Sequence, residues 1–103
     1  MALTKFGFIV TGSGLDPQQH VSVMESPTFE MITIGVAKPE QGVEAAKRLV
    51  ADGVQLIELC GGFGPIWTAR ILEAIGSAVP VGSVAYGPES IDAMYRLFAP
   101  AAK

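Results

Sequence analysis

The residues best suited to chemistry in this chain are Glu58, Cys60 and His20. The first two stand in one run, Val54-Gln55-Leu56-Ile57-Glu58-Leu59-Cys60-Gly61-Gly62-Phe63-Gly64-Pro65. A carboxylate on a strand can pass a proton, a thiol at a strand end can act as a nucleophile, and an imidazole can serve as its base. Glycines then follow the cysteine, and a proline opens the next element. Such a turn lets a ligand approach the backbone closely, and the unpaired N–H groups of a helix start favour an anion. The ligand-binding set predicted is therefore Gly61, Gly62, Phe63 and Gly64, with Lys38 and Tyr86 at the ends of neighbouring strands.

Each of these residues also has a plainer reading. Alternation along a strand puts Leu56, Glu58 and Cys60 on one face and Ile57 and Leu59 on the other. A central parallel strand is covered on both faces, so an unpaired carboxylate there would cost several kcal/mol. Glu58 either contacts a ligand, or is satisfied internally by loop backbone or by Lys38. Cys60 is either a nucleophile or a small buried hydrophobe. No base adjoins it in sequence, and His20, the only histidine, reaches it only if the first long connection folds over the strand ends. The glycine run either cradles an anion or simply makes a tight turn.

The elements that must position these residues are legible from punctuation. Lys5 to Thr11 reads as a first strand closed by Gly12-Ser13-Gly14, and Phe29 to Ala37 as a second. Between them, Asp16-Pro17 starts at most one helical turn, and Leu15 to Thr28 is expected to be an ordered connection. Pro39 opens a helix through Ala51, with Gly53 just past its end, an asymmetry typical of helices. Val54 to Cys60 is the third strand, Pro65 opens a helix through about Ser77, and Pro80 to Tyr86 is the fourth strand. Pro88 opens a last helix with Ile91, Met94, Tyr95 and Phe98 at i, i+3, i+4 and i+7. Three prolines each opening a helix after a strand mark repeated strand–helix units, whose crossovers build a parallel sheet. The expectation is one α/β domain over residues 1–103, with about four mostly parallel strands, three strand–helix units and the helices packed on the sheet.

Composition narrows the function classes. The formal charge is −3 and no window gathers lysine and arginine, so the basic footprint that nucleic-acid binding needs is missing. The apolar start is too short for a signal peptide or a membrane span. One cysteine allows no internal disulfide and suits a reducing compartment, so a cytoplasmic setting is expected. With one cysteine and one histidine, neither a metal site nor a cofactor is expected. Gly12-Ser13-Gly14 begins like a dinucleotide fingerprint, but Pro17 stands where the third glycine belongs. Only 17% of residues are charged and 50% are hydrophobic, against roughly 25% charged in typical domains. So few charges on a small domain suggest that part of its surface is covered, and a homo-oligomer is expected.

Asp16-Pro17-Gln18-Gln19-His20, the Glu58-to-Gly64 run and Pro80-Val81-Gly82 together resemble a family of small bacterial proteins, about 100 residues long, classed as a domain of unknown function. The Glu-Leu-Cys-Gly-Gly-Phe-Gly run is the most specific part of the match. The resemblance implies no activity, but it associates His20 with Glu58 and Cys60. More distantly, Asp52-Gly53-Val54 leading to the Glu58 strand is similar to one unit of class I aldolase barrels, in which a strand glutamate works beside a Schiff-base lysine. Here Lys38 precedes a helix-opening proline, and the chain is under half a barrel long. The sequence therefore supports a small anionic ligand, bearing phosphate or carboxylate, at the carboxyl ends of the strands, with Glu58 available for acid–base work. The alternative is a non-catalytic homo-oligomeric or interaction module.

Overall fold

In the computed structural model, which describes residues 2–99, the chain runs β1 (Lys5–Thr11), β2 (Val21–Ser26), β3 (Phe29–Val36), α1 (Gly42–Ala51), β4 (Ile57–Leu59), α2 (Gly64–Ala74), β5 (Val81–Ser83) and α3 (Ile91–Phe98). Short 3-10 turns, Pro39–Gln41 and Pro88–Ser90, lead into α1 and α3. The prolines fit there because a first helical turn needs no N–H from them. The backbone just before α1 is held by the Gln41 side chain, whose Oε1 accepts the N–H groups of Ala37 at 2.8 Å and Lys38 at 3.1 Å. α1 ends where expected: Gly53 takes φ +92, and the N–H of Val54 returns to the Leu49 carbonyl at 3.2 Å.

The five strands lie in the order β2-β3-β1-β4-β5. β1 pairs in parallel with both β3 and β4, and β4 with β5, whereas β2 pairs antiparallel with β3. The α/β class and the strand–helix rhythm follow the sequence, but there is one more strand than expected. The Leu15–Thr28 connection contains β2, which turns at Pro27-Thr28 straight into β3. All six β2 residues are exposed. The strand is therefore held by its ladder with β3 and carries no buried pattern to announce it.

From β3 the chain crosses over β1 to β4, and then moves outward again to β5. Right-handed crossovers in one direction put their helices on one face of the sheet, and α1 and α2 pack against each other there. The core fills that layer: Ile9, Ile32, Ile34, Ile57 and Leu59 from the strands meet Ala45, Ala46 and Leu49 of α1 and Phe63 and Ile71 at α2. Burying each large aliphatic side chain stabilises the fold by about 1.5–3 kcal/mol. The helices approach closely because Gly42 has no side chain; a Cβ there would stand 2.5 Å from Phe63 Cε2 and 3.0 Å from Ile71 Cδ1.

No helix covers the opposite face of the sheet in the same way. Register places Phe6, Phe8 and Val10 of β1 on that face, beside Met31 and Thr33 of β3, Met24 of β2 and Glu58 of β4. The expectation that all three helices pack on the sheet fails at α3. None of its residues is buried, and Ile91, Tyr95, Leu97 and Phe98 are each 63–73% exposed.

Candidate functional site

The carboxyl ends of β1 and β4 flank the point where the chain reverses its direction of travel across the sheet, the place where α/β sheets open a crevice. A cleft of about 470 Å³ lies there, lined by Val10, Thr11, Cys60, Gly61, Gly62, Tyr86, Met94, Leu97 and Phe98. That volume falls within the roughly 300–1,000 Å³ of small-molecule sites. Its floor is the end of β1 and the turn after β4. Its wall is Tyr86 with one side of α3.

The floor is tightly built. The Thr11 N–H donates to Cys60 Sγ at 3.2 Å, and the Thr11 hydroxyl lies 3.2 Å from the same sulfur. The Cys60 N–H in turn bonds the Ile9 carbonyl at 3.1 Å, tying the two strand ends together. The next turn closes with the Phe63 N–H on the Cys60 carbonyl at 3.1 Å. Gly62 sits directly against Thr11, and a Cβ there would overlap the Thr11 hydroxyl. A Cβ on Gly61 would stand 3.1 Å from the Tyr86 ring. Among the described residues no acceptor engages the N–H of Gly61 or Gly62, and both residues are exposed.

Of the residues the sequence singles out, Cys60, Gly61, Gly62 and Tyr86 come together in this cleft. Glu58 does not line it. It occupies a neighbouring hollow of about 250 Å³ with Gly82, Ser83 and Val84. In register it stands beside Phe8 and Gly82, exposed, because the face it projects from carries no helix. The expected burial of this carboxylate is therefore absent within the single chain. The alternative of pairing with Lys38 is not seen either: among the described residues the ion pairs are Lys5–Glu30 and Lys47–Glu44.

His20 lies in a third hollow with Val10, Leu15, Gln19, Val21, Ser22, Thr33 and Gly35. Its Nδ1 accepts the Asp16 N–H at 2.8 Å, which leaves Nε2 to carry the proton of the neutral ring. Val10 is shared by this hollow and the cleft, so the three candidate catalytic groups occupy three adjacent hollows and share none. Lys38 is exposed at the start of the Pro39–Gln41 turn and lines none of them. Phe63 is 3% exposed and belongs to the core. Gly64 takes φ +70 at the start of α2, where its carbonyl accepts the Thr68 hydroxyl at 2.7 Å. It serves the turn.

Another hollow, about 490 Å³, lies at the β2–β3 turn. It is a shallow depression at the opposite end of the strands, with Glu25 and Glu30 in its lining and none of the candidate site residues.

Residues 4–99 match a family of unknown function, DUF6506. The chain belongs to that family. No curated protein and no solved structure gives a match. In this DUF6506 chain the cleft includes residues that strand and motif reading did not assign to a site: Val10, Thr11, Met94, Leu97 and Phe98. Thr11 had a weak signal as the polar last residue of an apolar strand. Met94 and Phe98 belonged to the amphipathic pattern of the last helix, but nothing in that pattern says that the stripe meets a crevice and not the sheet.

Proposed function

We propose that this DUF6506 protein binds a small organic acid in the cleft at the ends of β1 and β4. The anionic head, a carboxylate or phosphate, accepts the N–H groups of Gly61 and Gly62 beside the Thr11 hydroxyl. The apolar body lies against Tyr86, Met94, Leu97 and Phe98. The observation that supports this reading is the pairing of unengaged amide donors on the floor with an apolar wall. Small-ligand sites commonly combine a mostly apolar lining with a few convergent polar groups. Cys60 is the one candidate catalytic group such a ligand touches. Glu58 joins only for a ligand reaching past Val84 into the neighbouring hollow, where it could act as an acid or base.

The test is a thermal-shift screen of aryl and alkyl carboxylates and phosphates against the purified protein and a Tyr86→Ala variant. Ligand at about 100 times its Kd adds about 2.7 kcal/mol, a rise on the order of 10 °C for a domain of this size. A rise in the parent protein that is lost on Tyr86→Ala supports the reading. A rise of equal size in both proteins would move the site out of this cleft.

A non-catalytic homo-oligomeric module is favoured by a separate observation: Met24 and Phe29 are exposed on the sheet face opposite α1 and α2, and Ile91 and Tyr95 on the outer side of α3. Among the described residues no helix is long and apolar enough to cross a membrane. A cytoplasmic setting fits the single free thiol.

A further inference from the structure

We propose that the bare face of the sheet is an interface with a second copy of this chain, each copy setting the outer side of its α3 on the other's strands. The face carries half-buried Phe6, Phe8, Val10 and Met31 and exposed Met24 and Phe29 in one register-defined patch. Met24 is 70% and Phe29 37% exposed. α3 is the complementary element. Met94, Leu97 and Phe98 turn toward the chain's own cleft. Ile91 and Tyr95, one turn apart on a common side, do not line it, and they are 63% and 71% exposed.

The shape of the chain agrees. The radius of gyration is 14.7 Å and the extents are 49 × 29 × 29 Å, against about 13 Å for the radius of a compact domain of 100 residues. α3 stands at the end of an exposed connection from β5 through Val84, Ala85 and Tyr86, and its principal contact is the 3-10 turn that precedes it.

Area decides for a second copy over a smaller occupant. At roughly 200 Å² per large side chain, Ile91 and Tyr95 on the outer side of α3 and Met24 and Phe29 on the sheet face together leave on the order of 500 Å² of apolar surface bare in two patches. A two-fold arrangement uses both patches twice, so it removes on the order of 1,000 Å² from water, the lower bound for a specific interface. Such pairing is isologous: each copy offers the same two surfaces. It would also cover the face from which Glu58 projects, enclosing that carboxylate between subunits.

The experiment is sedimentation equilibrium of the full chain, of the double variant Ile91→Glu/Tyr95→Glu, and of Met24→Glu, with far-UV circular dichroism of each. All three positions are exposed, so the substitutions spare the fold. The expected result is a parent protein at twice the chain mass and both variants at the chain mass with unchanged helix and strand signal. A parent protein at the chain mass at all concentrations overturns the proposal. A dimer that survives Ile91→Glu/Tyr95→Glu overturns it too, including the case where Met24→Glu alone dissociates it, which would assign the contact to the β2 edge. Because Ile91 and Tyr95 do not line the cleft, the anion-induced thermal shift is a separate readout. Failure of ligand binding leaves the mass result unaffected.

Discussion

Thr11 holds Cys60 by two contacts, its backbone N–H and its hydroxyl both lying 3.2 Å from Sγ, while Gly62 packs against that hydroxyl from the other side. This three-residue knot joins β1 to the turn after β4 and forms the floor of the cleft. It makes a directional prediction. Gly62 has no left-handed backbone to protect, so a clash with Thr11 is the steric reason a side chain is disfavoured there. Gly62→Ala should destabilise the protein by about 1–3 kcal/mol, the usual range for overpacking. In a Thr11→Ala background most of that cost should vanish, because the remaining neighbours, Cys60 Sγ and the Thr11 Cβ that alanine keeps, stand at an ordinary 3.6 Å. A double-mutant cycle in urea reads the coupling. Additive costs would contradict the geometry.

Gly42 offers a sharper test of the core, because propensity and packing oppose each other there. Glycine to alanine inside a helix is worth up to about 1 kcal/mol of added stability by propensity alone. The Cβ would nevertheless meet the Phe63 ring at 2.5 Å, and that ring is 3% exposed with little room to move. Gly42→Ala should therefore destabilise, by on the order of 2 kcal/mol, as overpacked cores do. Urea denaturation reporting a more stable protein would mean that α1 and α2 are not packed as closely as described.

Glu58 tests the exposed side of the sheet. It makes no ion pair or hydrogen bond among the described residues and faces open solvent in the single chain. Glu58→Gln should leave folding stability within about 0.5 kcal/mol, the ordinary range of surface substitutions. Where a second copy covers that face, removing a charge from a desolvated position should tighten association. Comparing denaturation midpoints with the dimer dissociation constant separates the two effects. A loss of more than about 1 kcal/mol of monomer stability would reveal a partner for the carboxylate that these contacts do not contain.

The parts of this fold that the sequence makes legible are those with buried periodicity or strong punctuation. Pro39, Pro65 and Pro88 mark the helix starts to within a few residues, and Gly53 marks the end of α1. β2 stayed hidden because an edge strand with six exposed residues has no apolar run, and its partner, β3, supplies the ladder. Of the candidate site, the part legible in the sequence is the turn after β4, whose Cys60, Gly61 and Gly62 line the cleft. Phe63 looked like part of the same motif, but its ring is needed between the helices. Glu58 was misjudged for a different reason. Reading it as buried assumes helices on both faces, and crossover handedness leaves one face bare. No local pattern in β4 carries that information. The contribution of α3 to the cleft depends on where the Val84–Gly87 connection directs the helix, which periodicity cannot encode.

The most direct test of the ligand reading is an amide-resolved NMR titration with phenylacetate, phenyl phosphate and the neutral phenylacetamide. Both anions should move the amide resonances of Thr11, Gly61 and Gly62, together with the side-chain signals of Tyr86 and Phe98, and the amide analogue should bind far more weakly. Shifts confined to other residues, or equal responses to phenylacetate and phenylacetamide, would contradict an anion held on the Gly61–Gly62 turn.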